Sequence, residues 1–302
     1  MNIILGFRQD IWKGEPVECY PRSAAYYLKE LGHEVVCVGE GHGFETVDAL
    51  DWRKWDAFIE IENGRDTKGK LFFQQPRYNV ALPTAVWLID SHGQSDLHAA
   101  VSKDYDHVFF AVWAKRDLYT DHPSAHWCPN SSDPRWFDWT LVKDIQPKYD
   151  FGFIGSKGGL DRAKTMVEIC EKNGYTYTVK QVSKSHRHKW PHCAEAMAEA
   201  RFLFNRGQKH DGPNQRVIES MLLNRPLLTD VDERDGMAKI FSQRVHYRDY
   251  KDEASLEESM KWMMDDRNTH RVQKMAYDAY CEARIKHTVK HRMKQILEVL
   301  NA

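Results

Sequence analysis

Short apolar runs, too brief to be helices, alternate along this chain with amphipathic stretches of helical period, and that alternation limits it to strand–helix–strand folds. "NIILGF" (2–7) reads as a buried strand, "SAAYYLKELG" as a helix closed by Gly32, and "HEVVCVG" as a second strand. Ala24, Tyr27, Leu28 and Leu31 fall on one helix face, which can lie on a sheet. "WDAFIEIE" (55–62), "TAVWLID" (84–90) and "HVFFAV" (107–112) continue the series, and "SAHWCPNSSDPRWF" (124–137) ends it. Runs this uniformly apolar predict a parallel sheet with both faces covered.

The pattern then restarts. After the polar, proline-bearing "DWTLVKDIQPKYD" (138–150) come the strand "FGFIGS", a helix closed by Gly174, the strand "YTYTVKQV", the helix "HCAEAMAEA" and the strand "RFLFN". The expected fold is α/β, with two Rossmann-like domains facing across a cleft, residues 1–145 and 146–302. A chain of 302 residues exceeds one ordinary core, which agrees with two. The tail from 254 to 300 reads as helical, and its last segment from Thr269 has no proline or glycine. At about 1.5 Å per residue that segment can reach back over the first domain.

Lys and Arg total 43 against 44 acidic residues, which excludes a broad nucleic-acid surface. Six scattered cysteines with no CxxC pair, no basic-then-apolar leader and no apolar run near the ~18 residues of a membrane span predict a reduced, cytoplasmic protein.

In such folds ligands sit at the carboxyl ends of strands. Asn205 ends "RFLFN", and the loop after it carries Asp211 and leads into "GPNQRVIESMLLNRPLLTD" (212–230). A helix beginning at Asn214 offers unpaired amides and a positive dipole end, suited to a diphosphate. Arg216 adds a cation able to form a bidentate phosphate contact, and Glu219 a carboxylate for the two ribose hydroxyls. The plain alternative is a surface helix with an ordinary Arg216–Glu219 pair. Gly155, Ser156 and Lys157, followed by two more glycines, form a second candidate phosphate loop, without the spacing of a Walker motif. At a strand end in the first half, Asp90, Ser91 and His92 can supply an acceptor-proton base or sugar contact, or simply a capped turn.

Glu60, Glu62, Asn63 and Arg65 read as a polar turn, with the orienting of an acceptor by one of them as the lesser alternative. The His186, His188, His192 and Cys193 group reads as a solvated basic loop, because its spacing fits no zinc knuckle, and such a loop can also touch an anionic acceptor, DNA included. His287 and His291 read as a basic solvated helix face. No metal site is expected.

"NQRVIESMLLNRPLLTD" resembles the nucleotide-binding segment of GT-B glycosyltransferases, in the CgeB-like branch of the group 1 family. "YDFGFIGSKGG", "HWCPNSSDPRWF" and "HTVKHRMKQIL" are similar to further motifs of that branch, in the same order. The resemblance covers the second half well and the first half in patches. It implies a transferase moving a hexosyl or pentosyl unit from a UDP- or GDP-linked donor to an acceptor hydroxyl. Metal independence and retention of configuration come with the resemblance; the last helix is expected, from its length, to pack back on the first domain. Glu219 would hold the ribose, and Arg216 with Gly155, Ser156 and Lys157 the diphosphate. Relatives place a second acid eight residues before that glutamate; here the position is Asp211, one methylene shorter, so the sugar-side role falls to Asp211 or Asn214. No permanently bound cofactor is implied. The acceptor stays open among polysaccharide, protein, metabolite and modified DNA. A nucleotide-sugar epimerase and a non-catalytic nucleotide-sugar binder share the expected fold.

Overall fold

The computed structural model describes residues 1–8, 11–12, 15–16, 19–39, 41–42, 50–62, 82–89, 95–155, 161–181, 190–207, 212–232, 234 and 236–302. Packing divides the chain into two compact units, Met1–Asn130 with Val289–Ala302, and Ser131–Thr288. The division read from sequence lies later, at 145/146.

The first unit is built on β1 (Asn2–Gly6), followed by a two-residue antiparallel pair, β2 (Ile11–Trp12) and β3 (Glu15–Pro16). Then come α1 (Tyr20–Glu30), β4 (Glu34–Val38), β5 (Ala57–Ile61), β6 (Thr84–Leu88), α2 (Ser95–Ser102), β7 (His107–Phe110) and β8 (Ala125–Trp127). Six strands form one sheet in the order β4-β1-β5-β6-β7-β8, every neighbour parallel. Strands β5 and β6 are buried along their whole length, which is why both read as mainly apolar runs, with Glu60 buried in β5. Helix α1 has Pro21 in its first turn, where a missing N–H costs nothing, and buries Ala24, Tyr27 and Leu28 in a core with Ile3, Leu5, Ile59 and Trp87.

Edge strand β8 is tied to β7 by a histidine cluster. The Ser124 hydroxyl lies 2.7 Å from His107 Nδ1 and 2.9 Å from His126 Nε2. The Ser124 amide donates to His122 Nδ1 at 3.1 Å, and His122 Nε2 lies 2.9 Å from the Tyr105 carbonyl. Burial, then the neighbouring His107 and His122, hold the His126 imidazole below its ordinary pKa. A base whose folded pKa is depressed takes its proton first in the unfolded chain. Stability is therefore full at neutral pH and falls as pH drops below about 6.5. His126→Gln should flatten part of that acid slope in melting temperature; an unchanged slope would remove His126 from the account.

The second unit holds α3 (Trp139–Val142), β9 (Tyr149–Gly155), α4 (Lys164–Asn173), β10 (Tyr177–Gln181), α5 (Trp190–Ala198), β11 (Ala200–Asn205) and α6 (Gln215–Leu222). It continues through β12 (Leu227–Asp230), α7 (Met237–Ile240), β13 (Arg248–Tyr250), α8 (Glu253–Met264) and α9 (Thr269–Lys286). Its five strands run parallel in the order β10-β9-β11-β12-β13. Helix α6 and the underside of α9 cover one face with Val217, Ile218, Met221, Leu222, Ala279 and Ala283. The other face packs Phe151, Phe153, Phe202 and Phe204 against α4 and α8.

The last helix, α10 (Val289–Leu300), returns to the first unit as expected. It buries Val289, Met293, Ile296 and Leu297 in the core shared with α1. Arg292 Nε donates to the Pro129 carbonyl at 2.7 Å and Gln295 to the Trp127 carbonyl at 2.8 Å. Nothing in the sequence marks the break between α9 and α10; at that point Thr288 forms a parallel bridge with Ser132. His287 is only 6% exposed, its ring packed on Phe241, and Arg292 is buried. The expected solvated basic face is therefore wrong there: tertiary packing takes up these residues, and His287 and His291 stand on opposite sides of the break. Among the described residues no helix is long and apolar enough to cross a membrane. All six cysteines are free, and burial pushes the Cys128 thiol up to about 12.

Candidate functional site

The carboxyl ends of β9, β11 and β12 and the amino end of α6 meet in the second unit. Asn214 caps α6 with extended backbone, its side chain accepting from the Val217 amide at 3.4 Å. Its own amide group lies 3.3 Å from Asn205 Oδ1. Asn205, 2% exposed, is held from its other side, donating to Thr229 Oγ1 at 2.9 Å, while its carbonyl accepts from the Tyr250 hydroxyl at 3.1 Å.

Arg216 is the centre of this arrangement. Its Nε donates to the Ile154 carbonyl at 2.6 Å and its Nη1 to Asn205 Oδ1 at 2.7 Å. The guanidinium lies over the Phe153 ring, 4.8 Å from its centroid. A side chain on Gly155 would meet that ring at 2.7 Å, so glycine leaves room for the stack. The cation is thus fixed at two strand ends.

Gly155, Asn205, Asn214 and Arg216 are thus brought together. Glu219 stands one turn further along α6, half-buried. Ser156, Lys157, Asp211, Asp90 and His92 lie outside the described residues.

Sequence reasoning missed Asp230. At the end of β12, its Oδ1 accepts the Gly207 amide at 2.9 Å, at the head of the loop that follows Asn205. Burial raises its carboxyl above the ordinary range, opposed by that amide and by the charge of Arg206. The signal was present: an acid at a strand's carboxyl end, the same rule that picked out Asn205.

In the first unit, Glu60 and Glu62 are not solvent-facing turn residues, and Asn63 and Arg65 lie outside the described residues. Glu60 and Glu62 are 1% and 6% exposed. Glu60 accepts from the Tyr105 hydroxyl at 2.5 Å. Glu62 accepts the Ile89 amide at 2.6 Å and lies 3.3 Å from His98 Nε2. Glu62 thus fastens the carboxyl end of β6, one residue before Asp90 in the sequence. His186 and His188 lie outside the described residues; His192 is exposed and sits 3.0 Å from Glu195. Among the described residues no cluster of three potential metal ligands occurs.

A family model described as "Glycosyl transferase-like" matches residues 137–298. No curated protein sequence matches the chain. Among solved structures, the N-terminal domain of Candida albicans trehalose-6-phosphate phosphatase superposes with a TM-score of 0.66 at 10% identity, covering 99% of this chain and 96% of that one. A glycosyltransferase from Rickettsia africae gives 0.63 at 11%, covering 99% and 97%. Anabaena HepE in complex with UDP-glucose gives 0.62 at 12%, covering 100% and 99%. These likenesses establish the fold as GT-B, two Rossmann-like halves along the whole chain.

Proposed function

The chain belongs to the glycosyl transferase-like family, and we propose that it moves a sugar from a UDP- or GDP-linked donor to an acceptor hydroxyl. The observation that carries this reading is the fixed Arg216 guanidinium, bonded to Asn205 and Ile154 beside the amino end of α6. A rigid cation and a helix dipole directed at one point suit the charge that builds on a departing diphosphate. HepE, with the same fold, is complexed with UDP-glucose, which supports a nucleotide-sugar donor.

In this reading Gly155, Ser156, Lys157, Asn214 and Arg216 hold the diphosphate, Glu219 the ribose, and Asn205 keeps Arg216 in place. Asp211 or Asn214 meets the sugar. Asp90 and His92 take the proton of the acceptor hydroxyl or contact the transferred sugar, on a strand end anchored by Glu62. Transfer proceeds with retention and without a metal; a chelator should leave turnover unchanged, and NMR of the product's anomeric proton reports the configuration.

Incubation with a panel of UDP- and GDP-sugars tests the class. Nucleoside diphosphate release that accelerates with an acceptor is expected. A new sugar nucleotide instead would mean an epimerase, and binding without either product a non-catalytic module.

Glu219→Ala should weaken donor binding about tenfold or more, since hydrogen bonds to a carboxylate are worth roughly 1.5–3 kcal/mol each. The melting temperature should barely move, because Glu219 is half-buried on a helix whose core residues are its neighbours Val217, Ile218, Met221 and Leu222. Unchanged donor affinity would take the ribose away from Glu219.

A further inference from the structure

Helix α9 turns apolar side chains to solvent as well as to the core. Its inner side is buried through Val272, Met275, Ala276, Ala279 and Ala283. On its outer side Tyr277 is 57% exposed and Ile285 64%. They stand one turn before and one turn after Cys281, in a single row, because residues four apart share a helix face. Helix α3 extends the patch. Trp139, 37% exposed, meets the Tyr280 ring at 6.4 Å, and Asp138 beside it pairs with Arg284 at 3.1 Å. Leu141, on the same short helix, is 59% exposed. Eight large apolar side chains are exposed among the described residues, and Trp139, Leu141, Tyr277 and Ile285 are half of them. That is a concentration on two helices, unlike the scatter that any surface carries.

The charges around the patch decide what can cover it. Lys274 is paired with Asp278 at 2.5 Å, Lys286 with Glu282 at 3.0 Å, and Arg284 with Asp138. The cations flanking Tyr277 and Ile285 are thus already neutralised, which leaves them little hold on an anionic lipid surface or a nucleic acid. The face is matched instead to itself. When a second α9 is laid antiparallel on the first, with a twofold axis at Cys281, each residue comes level with the one equally far beyond Cys281 in the other copy. Tyr277 of each copy comes level with Ile285 of the other, and Asp278 with Arg284. Lys274, Glu282 and Lys286 come level with Thr288, Tyr280 and Ala276. Aromatic meets aliphatic, acid meets base, and among these residues no charge meets its like. A parallel pairing would set every charge against its own copy.

We propose that the outer face of α9, extended by Trp139 of α3, is the contact between two copies of this chain in a twofold-symmetric dimer. Its size sets the strength of the contact. At 18 residues α9 is roughly 27 Å long and about 10 Å wide, so the helix alone offers roughly 300 Å² to a partner. That is under half of the ~800 Å² per side of a stable interface. Trp139 and Leu141 add to it, and the dimer is weak, forming at high concentration. The face belongs to the helical layer and not to the strand ends, so the inference does not rest on the donor reading.

Sedimentation velocity of the full chain, from low-micromolar to near-millimolar concentration, tests this. A mass rising toward twice that of one chain is expected, and Tyr277→Glu and Ile285→Glu should each weaken the dimer about thirtyfold. Both side chains are more than half exposed, so at low concentration both variants should keep the wild-type circular dichroism and melting temperature. Under mild oxidation at high concentration a disulfide between copies should form through Cys281, and Cys281→Ser should abolish it. A chain that stays monomeric throughout, a dimer indifferent to both glutamate substitutions, or a cross-link through other cysteines alone would each overturn the proposal. So would a monomer that sediments with phosphatidylglycerol vesicles and ceases to do so in Ile285→Glu, which would assign the face to a lipid surface.

Discussion

Replacing Arg216 with lysine should cost nearly as much as replacing it with alanine, about 100-fold or more in kcat/KM, or roughly 2.7 kcal/mol of transition-state stabilisation. Charge alone does not explain the residue. Its Nε and Nη1 bond to two different strand ends, and its plane lies on Phe153. A lysine ammonium keeps the cation and loses the fork and the stack. It would also leave Asn205 Oδ1 without its shortest partner, in a residue that is almost fully buried. Donor affinity and turnover should fall together in both variants. Near-wild-type turnover in Arg216→Lys would show that a mobile charge suffices and that the fixed geometry is incidental.

The largest stability effect should come from Gly152→Ala, with a drop of about 3 kcal/mol, or roughly 6–12 °C in melting temperature. Gly152 lies inside β9, and a Cβ there would sit 2.5 Å from the Ala200 Cβ on β11. Both carbons are attached to backbone, so no rotamer change relieves the clash; the two central strands must shift. Gly155 presents the milder case, since its close neighbour is the Phe153 ring, which can move at the expense of the Arg216 stack. Scanning calorimetry measures the drop, and adding Ala200→Gly to Gly152→Ala should restore most of it. A Gly152→Ala protein of unchanged melting temperature would mean that β9 and β11 are not this closely packed.

Legibility differed by the range of the forces involved. The sheets could be read because strands buried on both faces are mainly apolar, as in β5, β6 and β11. The amino end of α6 could be read because capping is local: Asn214 sits three residues before the amide it accepts from. What escaped depended on distant partners. Ile154, which accepts from Arg216, is 62 positions away, and Ile89, which donates to Glu62, is 27 positions away. Glu60 and Glu62 looked like solvent-facing charges because sequence does not reveal that Tyr105, Ile89 and His98 satisfy them. The break at His287–Thr288 escaped for the same reason, since no proline or glycine stands there and the Ser132 bridge replaces the helical bonding.

Crystals grown with UDP put the central claim to its plainest test, through the position of the diphosphate. The account predicts phosphate oxygens within hydrogen-bonding distance of Arg216 and the first amides of α6, with the ribose toward Glu219. A nucleotide bound in the first unit, or at the amino ends of β11 and β12, would contradict it.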